Sequence, residues 1–256
     1  MKSRNIKLII SYDGTDFHGW QKQSTRGEKT QTIQGIIEEA LREIHKMPVA
    51  LTGAGRTDAG VHAIGQTANF YTNIDSIPAE KFAPALNSLL PKEIRVLEAC
   101  EVPAEFHARF SACSRTYRYY FILGRPALPH ESRYNLQLRR CPRLDILNAY
   151  GRLLFGETDC TIFAGAGDTA LAEGKSANRY IYKAYFFIEK DRLIFEIKAN
   201  AFLRNMVRSV GGTFLFYEEK GTNPKELQKI IASGERGLAG PTLPPQGLFL
   251  SNVEYR

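Results

Sequence analysis

Near the start of the chain, Ile6, Leu8, Ile10 and Tyr12 alternate with mostly polar neighbours, the period of a strand with one buried face. From Ile33 the period changes. Ile33, Ile36, Ile37, Ala40, Leu41 and Ile44 fall on one side of a helix. A short strand is expected over 49–52 and a longer one over 61–71, with a glycine-rich turn between them. A helix over 79–90 and a strand over 94–102 complete the order strand, helix, strand, strand, helix, strand, the ferredoxin-like pattern.

Residues 103–110 read as a connection, which divides the chain into halves 1–105 and 106–256. In the second half Tyr117, Tyr119, Phe121 and Leu123 share a strand face, and 144–154 has helical spacing. Segments 180–188 and 193–199 alternate as a β-pair around a Lys190-Asp191 turn. A helix is expected from about Phe202, with Leu203, Met206, Val207, Val210 and Phe214 inward. Asn223-Pro224 opens another helix through 232, and Leu248, Leu250 and Val253 mark a closing strand. Adjacent strands recur without helices between them. The pattern therefore fits an α+β fold with antiparallel sheets better than a doubly wound parallel sheet.

Composition narrows the classes. At 256 residues and 43% hydrophobic, the chain can bury the core of one large or two modest domains. No run approaches the roughly 18 apolar residues of a membrane helix. The start, Met1-Lys2-Ser3-Arg4 followed by Ile6 to Ile10, is too short and mixed for a signal peptide, so a cytoplasmic protein is expected. Cys100, Cys113, Cys141 and Cys160 form no Cys-x-x-Cys pair and the histidines are scattered, so no metal site is expected. The formal charge of +7 favours a polyanion such as nucleic acid, or simply serves solubility.

The strongest candidate for chemistry is Gly53-Ala54-Gly55-Arg56-Thr57-Asp58-Ala59-Gly60-Val61-His62-Ala63, with three glycines in the eight residues 53–60. A carboxylate in such a turn is either a turn former or a nucleophile. Arg56 adds weight to the second, because a nearby cation holds an acid ionised and can grip a phosphate or base. The stretch matches neither the phosphate-loop nor the dinucleotide fingerprint. Ser114-Arg115-Thr116-Tyr117-Arg118-Tyr119-Tyr120 interleaves arginine and tyrosine on a strand, which can stack bases on one face and hold phosphates on the other, or form an ordinary strand with core tyrosines. Arg204 and Arg208 are four apart and would share one stripe of the expected helix. Phe17-His18-Gly19-Trp20-Gln21, with the single tryptophan, suits a packed or RNA-contacting loop, and Ala239-Gly240-Pro241-Thr242 suits a rigid loop delivering Leu248 to the core.

Taken together and in order, these segments resemble the TruA family of tRNA pseudouridine synthases. The matching pieces are Tyr12-Asp13-Gly14-Thr15 with Gly19-Trp20-Gln21, Gln34-Gly35, Gly55 to Ala63, Phe106 to Ala112, Arg115-Thr116-Tyr117, Phe202-Leu203 with Met206-Val207-Arg208, and Gly247-Leu248. The resemblance implies two ferredoxin-like (RRM-like) halves with antiparallel sheets meeting at a central active-site cleft. It implies isomerisation of uridine to pseudouridine in the anticodon stem-loop of tRNA, without cofactor or metal, by a homodimer. By position, Asp58 resembles the catalytic aspartate and Arg208 the basic residue that keeps it charged. Tyr117 resembles the tyrosine that stacks on the target base and helps remove its C5 proton, Leu248 the apolar pocket residue, and Arg56 the residue that replaces the flipped-out nucleotide. His107, Arg109 and Arg204 are expected to bind RNA. Two stretches depart from the family pattern: Gly156-Glu157-Thr158-Asp159-Cys160, and the Gly- and Ala-rich segment 164–178, both expected in a loop away from the chemistry. Two other readings compete, a catalytically silent RNA-binding protein on the same scaffold and a small-molecule acyl or phosphoryl enzyme using Asp58. The second lacks a phosphate loop, a recognisable histidine base and metal ligands.

Overall fold

The structure, a computed structural model, describes residues 3–22, 31–165 and 167–256. Met1 and Lys2 of the polar start and Ala166 of the Gly- and Ala-rich segment lie outside the described residues. The fold is a mixture of helices and largely antiparallel sheet. The chain forms two compact units, one of Met1–Cys113 with Phe249–Arg256 and one of Ser114–Leu248.

In the first unit the strands are β1 (Arg4–Tyr12), β2 (Thr52–Gly53), β3 (His62–Thr72) and β4 (Ile94–Val102), and the helices are α1 (Ile33–His45) and α2 (Phe82–Asn87). β1 lies between β3 and β4 and is antiparallel to both, with Ile6 opposite Phe70 and Glu101. Ile6, Leu8 and Ile10 are fully buried, as their alternation requires, and so are Ile33, Ile37 and Leu41 on the apolar face of α1. Thr32 caps α1 through its side chain, which accepts from the Gly35 amide. The expected strand over 49–52 reduces to β2, since only Thr52 and Gly53 pair, with Asn69 and Ala68. The expected helix over 79–90 is a 3-10 turn (Ala79–Lys81) followed by the short α2. Pro84 lies inside α2 and supplies no amide to the helix ladder.

The chain's tenth strand, β10 (Leu248–Tyr255), returns to this unit from Phe249 onward. It runs parallel to β3, with Phe249 opposite His62 and Leu250 opposite Ala63. Tyr255 secures its end by donating from its hydroxyl to the Ala108 carbonyl at 2.7 Å.

The second unit carries β5 (Ala112–Leu123), β6 (Leu136–Leu138), β7 (Gly156–Asp159), β8 (Asn178–Glu189) and β9 (Arg192–Ala199). Its helices are α3 (Leu144–Arg152), α4 (Thr169–Ala172), α5 (Met206–Glu219) and α6 (Pro224–Ser233). β9 lies between β5 and β8, antiparallel to both, and β7 extends the sheet beside β8. Phe186, Phe195, Phe214 and Tyr150 form the core between sheet and helices. Lys190 takes a left-handed φ of 58° at the expected hairpin turn. Asn223 and Glu226 form a reciprocal capping box, which is why α6 begins where the sequence signals it.

Two expectations need correction here. Residues 156–159 are strand β7, not loop, because all four pair with β8. The helix expected from Phe202 starts at Met206. Asn205 is left-handed (φ 60°), the Arg204 amide donates to Asp168 Oδ2 at 2.6 Å, and the Arg204 carbonyl accepts from Gly165 at 2.7 Å. Those main-chain groups are committed to segment 165–168 and cannot enter the helical ladder. Arg204 and Arg208 therefore do not share a helical stripe.

One buried acid ties the second unit's helices together. Glu218, on α5, is 2% exposed and accepts from both Arg140 and Arg143, including the Arg143 amide at 3.2 Å just ahead of α3. Burial alone would push its carboxyl up, but the two guanidinium hydrogen bonds outweigh it and hold the group below the ordinary carboxylate value. A depressed folded-state value stabilises the fold above the ordinary carboxylate range, and that contribution is lost as pH falls through the folded value. Both arginines are about half exposed, at 49% and 55%, so solvent screens the Coulomb part and the hydrogen bonds dominate. Glu218→Gln should lower the unfolding free energy at pH 7 by about 2 kcal/mol. Urea denaturation from pH 7 to pH 3 should show the gap from the unmodified protein closing in acid.

Candidate active site

The Asp58 turn is fixed from several sides by its own unit. The Ala54 amide donates to the Thr67 carbonyl at 2.8 Å and the Gln66 carboxamide to the Gly55 carbonyl at 2.8 Å, which anchor the turn's leading edge on β3. Thr57 is buried, with Oγ1 2.8 Å from the Tyr12 hydroxyl and its carbonyl accepting from Trp20 at 3.0 Å. The Asp58 carbonyl accepts from the Val61 amide at 3.1 Å across a four-residue turn whose third residue, Gly60, has φ 75°. This is the position where a type II turn demands glycine. Asp58 is half-buried and Arg56 is exposed.

The loop ahead of α1 buttresses this turn. Gly19 has φ 85°, and a side-chain carbon there would lie 2.6 Å from the Thr57 carbonyl oxygen. Trp20 is 1% exposed. Asp13 Oδ1 accepts from the Thr15 amide at 3.0 Å, an Asx turn. His62 is fully buried, accepts at Nδ1 from the Gly14 amide at 3.1 Å, and stacks on Phe249 at 4.5 Å. The first matching loop of the resemblance thus frames the turn that carries Asp58, largely through main-chain groups.

In the second unit, Tyr117 on β5 is 7% exposed, with its ring edge-on to Phe202 at 5.0 Å. Arg208 is half-buried in the first turn of α5, which holds no acid. The partial positive charge of a helix N-terminus disfavours a cation there. Arg208 is held nonetheless, by Nε to the Leu243 carbonyl at 2.6 Å and Nη1 to Asn205 Oδ1 at 3.0 Å. Segment 243–247 leads on to Leu248, itself 4% exposed. Tyr119 anchors that segment, donating to the Pro244 carbonyl at 2.7 Å. Burial pushes the Tyr119 hydroxyl's pKa well up, with the Arg208 charge opposing, so the hydroxyl keeps its proton for that bond.

The remaining expected RNA contacts lie apart in the sequence and differ in setting. His107 accepts at Nδ1 from the amides of Arg109 and Phe110 at 3.2 and 3.3 Å, shaping its own turn. Arg109 is exposed, with its guanidinium 5.6 Å from the ring of Phe110, which is 76% exposed. Arg204 is exposed, its main chain tied to segment 165–168 as described. Asn205, Leu243 and Tyr12 contribute to positioning and were not singled out as site residues by sequence. Leu243 acts through its main-chain carbonyl, which carries no residue-type signature, and Asn205 through a side-chain oxygen whose partner lies outside any recognisable motif. Among the described residues, no group of three or more His, Cys, Asp or Glu side chains could hold a metal ion. Among them, too, no helix is long and apolar enough to cross a membrane.

A family model described as tRNA pseudouridine synthase matches residues 8–111 and 152–256 of the chain. The chain belongs to that family. It is 53% identical over 253 residues to a protein named tRNA pseudouridine synthase A from Treponema denticola, covering 98% of this chain and 93% of the relative. Proteins of the same name from Treponema pallidum and Caldicellulosiruptor bescii are 47% and 42% identical, over 93% and 98% of this chain and 84% and 100% of their own lengths. The matched regions include the Asp58 turn, Tyr12, Arg208 and Leu248, and the first of them ends at Ser111, short of Tyr117.

Gly19→Ala should destabilise the protein by about 3 kcal/mol, since it adds left-handed strain to a clash with the Thr57 carbonyl. Urea denaturation checks this. In whatever fraction stays folded, turnover should fall as well, because the displaced carbonyl belongs to the residue preceding Asp58.

Proposed function

We propose that this protein isomerises uridine to pseudouridine in tRNA, in the anticodon stem-loop, with Asp58 as the catalytic carboxylate. Membership of the tRNA pseudouridine synthase family supports the reaction class. The observation that carries the role of Asp58 is the turn itself: a half-buried carboxylate with exposed Arg56 two residues before it and main-chain anchors on both flanks. An acid held that rigidly is costly to place opposite a polyanion, and chemistry offsets the cost where mere binding does not.

In this reading the Asp58 carboxylate starts the reaction, as nucleophile or by triggering cleavage of the bond between uracil N1 and the sugar. The base turns, its C5 bonds to the sugar carbon, the C5 hydrogen leaves as a proton, and N1 gains one. Atoms and electrons balance within the nucleotide, so the reaction calls on no redox cofactor and no metal. Arg208 supplies the cation that keeps the carboxylate ionised. Tyr117 stacks on the target base and helps remove the C5 proton, and Leu248 gives that base an apolar wall. Arg56 fills the gap left by the flipped nucleotide, offsetting part of the few kcal/mol that unstacking costs. His107, Arg109 and Arg204 bind the RNA backbone, consistent with the chain's +7 charge.

We also propose that the halves 1–105 and 106–256 are each ferredoxin-like, that the protein acts as a homodimer, and that it works in the cytoplasm. The antiparallel order β4-β1-β3, with β2 against β3, supports the ferredoxin-like reading of the first half.

Tritium release from tRNA labelled at uridine C5 tests the assignment, because the new carbon–carbon bond expels that hydrogen. The unmodified protein should release tritium. Asp58→Asn should lose turnover by about three orders of magnitude while keeping tRNA affinity within about tenfold, since it removes a charge at nearly constant volume. A collapse of affinity instead would assign Asp58 to binding. Arg56→Ala should weaken the productive complex and leave the melting temperature within about 2 °C, as expected for an exposed side chain. Differential scanning calorimetry beside a tRNA titration separates the two.

A further inference from the structure

We propose that the Tyr12 hydroxyl is a positioning residue for the reaction: its hydrogen bond to Thr57 sets the placement of the adjacent Asp58 carboxylate. The inference rests on the reading of Asp58 as the catalytic group.

Tyr12 ends β1, 3% exposed, just past a slip in the β1–β3 register between Ile10 and Tyr12. Such irregularities re-aim a side chain, and here the phenol reaches the Thr57 hydroxyl at 2.8 Å in a buried pair. The ring packs near Trp20, with centroids 5.9 Å apart. Phenylalanine would supply that packing without burying a hydroxyl, whose desolvation must be offset by a hydrogen bond. The hydroxyl adds a grip on Thr57 that phenylalanine could not make.

Thr57 in turn has little freedom. Its carbonyl is held by the Trp20 amide at 3.0 Å, so main chain and side chain are fixed by two different segments of the loop and strand. A β-branched side chain has a stiff first torsion, so a shift of Oγ1 passes to the backbone. The next residue is Asp58, whose own carbonyl is closed by Val61 at 3.1 Å. Losing the phenol frees the side-chain anchor immediately before the carboxylate and leaves the anchor after it. The carboxylate then reorients relative to the base while the RNA-binding surface stays unchanged.

The test is single-turnover tritium release with enzyme in excess over C5-labelled tRNA, where the saturating rate does not depend on the folded fraction. Tyr12→Phe and Thr57→Val should each slow that rate about tenfold with tRNA affinity unchanged within about twofold. The double variant should be no slower than either single one, because both remove the same contact. Thr57→Ser keeps the oxygen but not the stiff torsion, so it should lose clearly less rate than Thr57→Val. Full rate in Tyr12→Phe, losses that multiply in the double variant, or a fall in affinity in place of rate would each overturn the proposal. If Tyr12→Phe fails to fold, the Thr57→Val and Thr57→Ser pair carries the test alone. Asp58→Asn is run alongside. Retained turnover there defeats the reading of the site itself, whereas an inactive Asp58→Asn beside a fully active Tyr12→Phe defeats only the role of the hydroxyl.

Discussion

The arrangement around Asp58 depends on the double anchoring of Thr57, by the Tyr12 hydroxyl from β1 and the Trp20 amide from the loop ahead of α1. A turn rich in glycine is entropically expensive to hold in one conformation. This one is held because its flanking carbonyls and amides are matched to partners on two separate segments, and because Gly19 allows the backbones to approach where a side chain would collide. The glycines that make the turn possible thus require the packed loop that makes it definite. Trp20 is buried in that loop, and its ring packs so closely on Gly53 that a side-chain carbon there would collide with it.

The second unit uses a different device. Arg208 stands at the start of α5, where a helix disfavours a cation, and is kept there by the Leu243 carbonyl and Asn205. The same 243–247 segment is gripped by Tyr119 and runs directly into Leu248. One short segment therefore ties a guanidinium, a buried phenol and an apolar side chain into a common placement. At the other end of α5, Glu218 fixes the helix to the Arg140–Arg143 segment. A helix pinned at both ends delivers Arg208 with little freedom to drift, which suits a group whose proposed task is electrostatic.

Family membership and the anchored turn bear on different links of the argument. The first supports a reaction class through likeness over nearly the whole chain. The second gives a physical reason for a particular carboxylate to carry it, since Asp58 is set between fixed neighbours, whereas Asp13 accepts from Thr15 and lies 3.2 Å from His62 Nδ1 at the frame of the loop. Two acids with similar glycine neighbours thus separate by what surrounds them.

Period and punctuation in the sequence determined most elements. β1, α1, β4, β8 and β9 follow their apolar spacing, and α6 begins at its Asn-Pro signal, because those patterns report one buried face or a local cap. Asp58, Arg56, Tyr117 and Arg208 were legible as candidates from their residue types and order. Only the tertiary structure decided that α5 starts at Met206, since partners in segment 165–168 claim the preceding main-chain groups, and that 156–159 is a strand, since its pairing lies some twenty residues on. It alone decided, too, that Tyr12 meets Thr57. A hydrogen bond between residues 45 apart leaves no mark in local spacing, because the distance between two such groups is set by packing and not by sequence separation.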